Sequence, residues 1–221
     1  MTIDYSHARE MMVEQQVRPW DVLNINVLNA LARLPREAFV PERYRELAYV
    51  DGEIPLGHGQ RMMKPVVEGR LLQALDIQPG ETVLEIGTGS GFITACLGTL
   101  AHEVVSLEIE PELSAAAHAR LEATGLGANV RTEVADAFEY QTPRQFDAVC
   151  VTGAVETVPA ALLERVRPGG RLFVIRGTAP AMEAVLIKRL GNDVNAIETE
   201  SLFETDLAYL RGAEPVARFV L

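Results

Sequence analysis

Three glycines interleaved with small polar residues form the part of the chain best suited to hold a ligand. The run Gly87-Thr88-Gly89-Ser90-Gly91 follows the apolar segment Val83-Leu84-Glu85-Ile86 and precedes a segment of helical character. A tight strand-to-helix turn needs the dihedral freedom of glycine, and a ligand can lie against main chain only where no side chain intervenes. We therefore predict a nucleotide-cofactor site formed by Glu85 and the residues of this turn.

The spacing of the glycines indicates which cofactor the turn would bind. A dinucleotide fingerprint has a further glycine three residues after its second one, and here that position holds the bulky Phe92. Glycines at 87, 89 and 91 are the pattern of S-adenosylmethionine (SAM) methyltransferases. The turn therefore predicts a SAM site. A dinucleotide site, or a turn that merely connects strand to helix, are the alternatives.

Further candidates for cofactor binding follow the other predicted strands. Glu108 ends the apolar segment 104–107, where its carboxylate could accept hydrogen bonds from both ribose hydroxyls; the same geometry serves NAD. Asp136 could accept a hydrogen bond from the adenine amino group, with the amide of Ala137 beside it, or it could simply cap a helix. Thr152 follows the next strand, and we expect it to face the transferred methyl group.

An alternation of apolar runs and helical segments predicts the fold class. Strands are predicted at 82–86, 104–107, 130–134, 146–151 and 171–175, and helices at 92–100, 111–124 and 159–166. This repetition predicts an α/β fold, a Rossmann-like, doubly wound and mostly parallel sheet with helices on both faces. Ligands bind such a sheet at the carboxyl ends of its strands, so the glycine turn, Glu108 and Asp136 should meet there.

The two ends of the chain are predicted to add to this core. Before it, helices are expected at 5–17, 22–34 and 65–75, with a long irregular stretch between the last two. After it, segments 184–190 and 195–202 flank Gly191-Asn192-Asp193, which predicts an antiparallel hairpin whose second arm could extend over 203–210; a helix at 181–190 is the alternative. We divide the chain into an N-terminal region, 1–78, which covers the site, and a SAM-binding core, 79–221.

Composition limits the partners and the cellular setting. The net charge of −11 disfavours binding to a nucleic acid backbone. Cys96 and Cys150 are the only cysteines, one in a predicted helix and one in a predicted strand, which suggests buried reduced thiols. The first residues lack a secretory leader and no apolar run is long enough to span a membrane. We expect a cytoplasmic protein that binds neither membrane nor metal; its oligomeric state is left open.

Several blocks of sequence occur in an order that resembles one family. They are Leu34-Pro35-Arg36-Glu37-Ala38-Phe39-Val40-Pro41, Ala48-Tyr49-Val50-Asp51, Pro55-Leu56-Gly57-His58-Gly59-Gln60, the glycine turn, and Pro168-Gly169-Gly170-Arg171-Leu172. Over most of its length the chain resembles the protein-L-isoaspartate (D-aspartate) O-methyltransferases. The resemblance implies a SAM-dependent enzyme that methylates a carboxylate on a damaged aspartyl or asparaginyl residue of a protein or peptide.

The resemblance also implies where the methyl acceptor binds. After Gly-Gln the family usually has Thr-Ile-Ser, with the serine regarded as an active-site residue, whereas this chain has Arg61-Met62-Met63. We identify Gln60, Arg61, Met63 and His58 as candidate catalytic positions. A thioether cannot donate a hydrogen bond, so Met63 cannot replace that serine.

Other interpretations of these residues are open. Arg61 and the nearby Lys64 could receive an acceptor carboxylate, or they could pair with Glu53 or Glu68. Met63 could be a core residue, and His58 a plain loop residue. The chain could therefore be an isoaspartyl methyltransferase, an enzyme of the same fold with a small-molecule carboxylate or another acceptor, or a SAM-binding protein without catalysis.

Overall fold

The computed structural model describes residues 3–215. In chain order the strands are β1 (Ile54–Gly57), β2 (Gln60–Met62), β3 (Thr82–Ile86), β4 (Glu103–Glu108), β5 (Val130–Val134), β6 (Phe146–Val155), β7 (Val166–Thr178), β8 (Ala181–Arg189) and β9 (Ile197–Thr205). The α-helices are α1 (Tyr5–Met12), α2 (Ile25–Arg33), α3 (Pro65–Leu75), α4 (Phe92–Leu100), α5 (Pro111–Thr124) and α6 (Ala160–Glu164).

Seven strands form one sheet in the order β5-β4-β3-β6-β7-β8-β9. Strands β3 to β7 pair in parallel, β8 is antiparallel to β7, and β9 is antiparallel to β8. The strand order reverses between β3 and β6, which creates the crevice where ligands bind in this class of sheet. The predicted doubly wound, mostly parallel sheet and the antiparallel strands at its end are confirmed.

Side chains of β3 alternate between two hydrophobic clusters, one on each face of the sheet. Val83 is buried together with Leu72 of α3 on the face that the N-terminal helices cover. Leu84 and Ile86 point the other way and are buried with Leu162 of α6. Because both faces are covered, the central strands are mostly apolar and do not alternate regularly with polar residues; Glu85 and Ser106 are buried exceptions.

The N-terminal helices differ in their limits from the predicted ones. Helix α2 begins after Asn24, not at 22, because the Asn24 side chain accepts hydrogen bonds from the main-chain amides of Asn26 (2.9 Å) and Val27 (3.4 Å). The predicted helix 5–17 is α-helical only to Met12. It continues as a π-helical turn, Val13–Val17, and then as a 3₁₀ turn, Arg18–Trp20.

The stretch predicted to be irregular contains regular structure. It includes two 3₁₀ turns, Arg36–Ala38 and Glu42–Leu47, and a separate antiparallel hairpin of β1 and β2. Strand β2 is only three residues long, too short for its alternation to stand out in the sequence.

The end of the chain also departs from its prediction. Strands β8 and β9 confirm the hairpin, but β9 ends at Thr205 instead of extending to 210. The following residues return to β6: the Ala154 amide donates to the Ala208 carbonyl (2.8 Å), and the Leu210 amide donates to the Ala154 carbonyl (2.8 Å). This return segment, residues 206–213, therefore lies beside the carboxyl end of β6.

Within residues 3–215, no helix is both long enough and apolar enough to cross a lipid bilayer.

Helix α3 packs closely against the N-terminal segment at Gly69, which yields a test of the packing. A Cβ at this position would lie 2.6 Å from Cγ1 of Val17 and 3.2 Å from Cγ2 of Val22. We expect Gly69→Ala to lower the free energy of unfolding by about 1–3 kcal/mol, because stiff β-branched side chains would have to move. Denaturant titration measures this change. Gly80→Ala is the matched control, since no described atom lies within 4 Å of its added Cβ; an equal loss there would contradict the interpretation.

Candidate active site

A cleft opens at the carboxyl ends of the central strands, next to the point where the strand order reverses. Its empty volume is about 880 Å³, including the part open to solvent. The residues that line it come from the glycine turn, the loops after β4 and β5, strand β6, the hairpin of β1 and β2, helices α3 and α4, and the return segment. The predicted site residues among them are Gln60, Arg61, Met63, Gly87, Thr88, Gly89, Ser90, Glu108, Asp136, Ala137 and Thr152.

The glycine turn has backbone angles that favour glycine. The φ values are 96° at Gly87, 52° at Gly89 and 86° at Gly91, all in the region that other residues rarely adopt. A Cβ at Gly87 would lie 2.4 Å from Oγ1 of Thr152, and one at Gly91 would lie 3.1 Å from Cβ of Ala117. The turn therefore runs as bare main chain between its neighbours, with Gly91 immediately before the first residue of α4.

Glu108, the last residue of β4, is held by the main chain around it. One carboxylate oxygen accepts from the Gly89 amide (2.8 Å) and the other accepts from the Glu110 amide (3.0 Å). Burial raises the pKa of Glu108, and the hydrogen bond from the Gly89 amide opposes the rise. The carboxylate is thus fixed at the edge of the cleft, directly beside the glycine turn.

Glu85 does not line the cleft, so its prediction as a direct cofactor ligand needs correction. It is fully buried beneath the turn, where Oε2 accepts from the hydroxyls of Thr94 and Ser106, each at 2.6 Å. The Ser106 hydroxyl in turn lies 2.6 Å from that of Thr88. Burial raises the pKa of Glu85 from 4.5 to about 8. Ile86 at the end of β3 lines the cleft, but Glu85 lies one residue earlier and its side chain points to the other face of the sheet, where it supports the turn from below.

The loop after β5 contributes Asp136, and β6, which extends beyond its predicted end at 151, contributes Thr152. One carboxylate oxygen of Asp136 accepts from the Phe138 amide (2.8 Å) within a turn; no helix begins there, so the helix-cap alternative is wrong, and the residue lines the cleft. The Thr152 hydroxyl donates to the carbonyls of Ile86 (3.0 Å) and Gly87. Thr152 therefore ties the end of β6 to the start of the glycine turn.

The hairpin of β1 and β2 forms the opposite side of the cleft. Gln60 and Arg61 line it, and Arg61 also forms an exposed ion pair with Glu53 (3.3 Å), one of the predicted alternatives. Met63 touches the cleft but is only 5% exposed and belongs to the core. Lys64 is exposed and lies outside the lining.

The predicted catalytic position His58 does not itself line the cleft. It has a φ of 53° between Gly57 and Gly59. Its ring nitrogens lie 3.5 Å from Glu110, which does line the cleft, and 3.0 Å from Glu112. His58 therefore links the hairpin to the start of α5.

Some residues of the cleft could not be identified from the sequence. Leu210 and Arg211 of the return segment line it although they follow the last strand, and no motif marks them. Glu68 of α3 also lines the cleft and pairs with the buried Arg36 at 3.0 Å. Arg36 lies within one of the blocks that carry the family resemblance, which was the only available signal.

No group of three or more His, Cys, Asp or Glu side chains within residues 3–215 is arranged to hold a metal ion.

The close contact at Gly87 yields a prediction for cofactor binding. In Gly87→Ala the added methyl would adopt an unfavourable φ and collide with Thr152, which would distort the turn. We expect its affinity for S-adenosylhomocysteine, measured by calorimetry, to fall by about tenfold or more. Gly125→Ala is the control, because Gly125 has a φ of 70° but no described atom within 4 Å of an added Cβ. Equal affinities in the two variants would show that the turn does not contact the ligand.

The buried carboxyl of Glu85 yields a prediction for stability as a function of pH. Between pH 4.5 and about 8 the folded state retains a proton that the unfolded chain has released, so the group loses its stabilising contribution as pH rises through this range. We expect Glu85→Gln to gain stability over the parent by about 1.4 kcal/mol per pH unit in this window. Denaturant titrations at several pH values measure the slope. The exposed substitution Glu46→Gln should leave the slope of the parent unchanged, and a parallel pair of curves for Glu85→Gln and the parent would contradict the assignment.

Comparison with known proteins identifies the family. The family model for protein-L-isoaspartate (D-aspartate) O-methyltransferase matches residues 7–203. Protein-L-isoaspartate O-methyltransferase 2 of Marinobacter nauticus is 40% identical over 191 residues, which cover 86% of this chain and 87% of that protein. The Aeropyrum pernix protein-L-isoaspartate O-methyltransferase is 40% identical over 189 residues, or 84% and 73% of the two chains.

Solved structures agree at the level of the fold. A Plasmodium falciparum structure described as a protein-L-isoaspartate O-methyltransferase, in complex with S-adenosyl-L-homocysteine, aligns with a TM-score of 0.78 at 17% identity. The alignment covers 95% of this chain and 99% of that one. These matches confirm the predicted Rossmann-like, SAM-dependent methyltransferase, and the chain belongs to the protein-L-isoaspartate (D-aspartate) O-methyltransferase family.

Proposed function

We propose that this protein transfers the methyl group of SAM to a carboxylate of isoaspartyl residues in damaged proteins and peptides. The proposal rests on family membership over residues 7–203 and on the shape of the cleft, in which the hairpin of β1 and β2 faces the glycine turn. We call this hairpin the acceptor hairpin. The N-terminal region, 1–78, would serve as the cover of the site, and the core, 79–221, as the cofactor-binding part.

The cofactor side of the cleft suits SAM. The bare main chain at Gly87 and Gly89 leaves room for the amino acid portion of the cofactor, because side chains there would fill or distort the turn. Each carboxylate oxygen of Glu108 already accepts one main-chain hydrogen bond and retains a lone pair for a ribose hydroxyl. Asp136 and the Ala137 amide would hold the adenine at the far end of the cleft.

Methyl transfer to a carboxylate requires the protein mainly to position the two reactants. When bound, SAM supplies an activated methyl carbon whose sulfonium is a good leaving group. A carboxylate acceptor is ionised near neutral pH, so the protein needs no general base. The residues of the hairpin therefore have to orient the acceptor in line with the methyl carbon, and orientation of this kind can contribute on the order of 7 kcal/mol or more.

The acceptor side offers a guanidinium and an amide. Arg61 lines the cleft with a largely exposed side chain and could receive the acceptor carboxylate, while Gln60 beside it could donate a further hydrogen bond. The Met63 side chain is packed into the core, so it contributes shape and not a hydrogen bond. Binding of the acceptor would thus depend on Arg61 and on main chain instead of on a hydroxyl.

The missing hydroxyl is the specific observation that favours a second candidate function. An enzyme of this fold that methylates a different carboxylate, such as a small organic acid, would also use Arg61 and would not need the family's serine. For either acceptor we infer a cytoplasmic setting from two buried, unpaired thiols, Cys96 and Cys150, and the net charge of −11 argues against nucleic acid as a partner.

Incubation with labelled SAM and an isoaspartyl peptide tests the proposal. We expect a base-labile methyl ester on this peptide and none on the matched aspartyl peptide or on a panel of small carboxylic acids. Preferential methylation of a small acid would instead support the second candidate.

The role of Arg61 is tested in the same assay. Arg61→Gln should raise the KM for the peptide by about fivefold, which is the scale of one exposed charge-assisted contact. Arg18→Gln is the matched control, because Arg18 also forms an exposed pair with a glutamate, Glu14, but lies outside the cleft lining.

A further inference from the structure

A buried ion pair lies beneath the acceptor side of the cleft. Arg36 is 0% exposed and Glu68 is 1% exposed. The Arg36 guanidinium donates to both carboxylate oxygens of Glu68, Nε to Oε2 and Nη2 to Oε1, each at 3.0 Å. Its remaining donors reach main chain: Nη2 donates to the Met63 carbonyl at 2.7 Å and Nη1 donates to the Ala48 carbonyl.

Arg36 thereby joins separate parts of the chain that surround the cleft. Met63 directly follows β2 of the hairpin, Ala48 follows the second 3₁₀ turn, and Glu68 lies in the first turns of α3. The guanidinium also lies over the ring of Phe92, 5.4 Å from its centroid, and Phe92 is the first residue after the glycine turn. The Arg36 side chain therefore contacts both the main chain just after the acceptor hairpin and the first residue of α4, which follows the glycine turn.

Stability alone does not account for such a pair. Removing two charges from water is costly, and replacing a buried ion pair with apolar residues of similar volume is often neutral or stabilising. What apolar residues cannot do is hold a main-chain carbonyl at a fixed position. The planar guanidinium of arginine can bind a carbonyl through one edge while its other edge remains paired with a carboxylate.

We propose that Arg36 and Glu68 are positioning residues. They fix the main chain at Met63 and so hold the acceptor hairpin at the distance from the glycine turn that methyl transfer requires. The proposal rests on the proposed function, because it assigns a task to the pair in methyl transfer. Glu68 orients the Arg36 fork by gripping it at two points, and the fork in turn holds the Met63 carbonyl.

A second ion pair in the same protein serves as a matched control. Arg171 donates to both carboxylate oxygens of Glu81, at 2.8 and 2.7 Å, and also to the main-chain carbonyls of Leu75 and Asp76. Its side chains are 16% and 15% exposed. Glu81 immediately precedes β3, so this pair lies at the amino ends of the strands, opposite the cleft. It has the same chemistry without contact to the hairpin.

The experiment compares the double variants Arg36→Met/Glu68→Leu and Arg171→Met/Glu81→Leu with the parent. Hydrogen exchange is followed at the amides of residues 60–64, and kcat is measured on an isoaspartyl peptide at saturating substrates, per S-adenosylhomocysteine-binding site counted by calorimetry. We expect faster exchange at 60–64 and a fall in kcat of about 10- to 100-fold in the 36/68 variant only. Counting binding sites removes the contribution of unfolded protein.

Each outcome decides one of the two claims. Unchanged exchange at 60–64 in the 36/68 variant, or equal loosening in the 81/171 variant, would overturn the positioning role. Absence of methylation by the parent, with the expected exchange pattern retained, would reject the isoaspartyl function and leave the anchoring role in place. If the 36/68 variant does not fold, Arg36→Lys provides the same reading, because lysine keeps the charge next to Glu68 but lacks the fork that reaches Met63.

Discussion

The structure depends on the passage of bare main chain between two neighbouring loops at the carboxyl ends of β3 and β6. At Gly87 the backbone comes so close to Thr152 that a methyl group has no space, and its positive φ would strain any other residue. The hydroxyl of Thr152 and the carboxylate of Glu108 both bond to this turn, so it is tied to the carboxyl-terminal parts of β6 and β4. The shape of the cofactor side follows from this constraint.

Polar groups beneath the turn make the arrangement rigid from the other side. Glu85, Ser106, Thr94 and Thr88 form a connected set of short hydrogen bonds inside an otherwise apolar sheet. This network favours one geometry, because a shift of β3 or β4 would break its bonds at Oε2 of Glu85; Oε1 of Glu85 has no hydrogen-bond partner among the described residues. The acceptor side has a comparable element in Arg36 and Glu68. Buried polar contacts therefore hold both walls of the cleft in place.

The fold could be predicted from the sequence to a large extent, and the reason is periodicity. Parallel strands buried on both faces give continuous apolar runs, and Pro65, Pro111 and Gly125 mark helix ends through simple backbone rules. The rule that ligands bind at the carboxyl ends of such strands correctly placed the glycine turn, Glu108 and Asp136 at one cleft. Glu85 was the exception, since adjacency to the glycines in sequence does not reveal that its side chain points beneath the turn.

The acceptor side was less accessible to prediction for a physical reason. Its hairpin is held by a three-residue strand and by contacts over long sequence separations, and neither leaves a periodic pattern. The contacts of His58 with Glu110 and Glu112 join residues more than fifty positions apart, and no local pattern in the sequence marks them.

The return segment carries a consequence for the order of assembly. Residues 206–213 follow all nine strands, yet Leu210 and Arg211 complete the wall of the cleft and the Leu210 amide bonds to Ala154 in the middle of the sheet. During synthesis the N-terminal part of a chain leaves the ribosome first. The pocket therefore acquires this wall only after all nine strands of the described structure have been made.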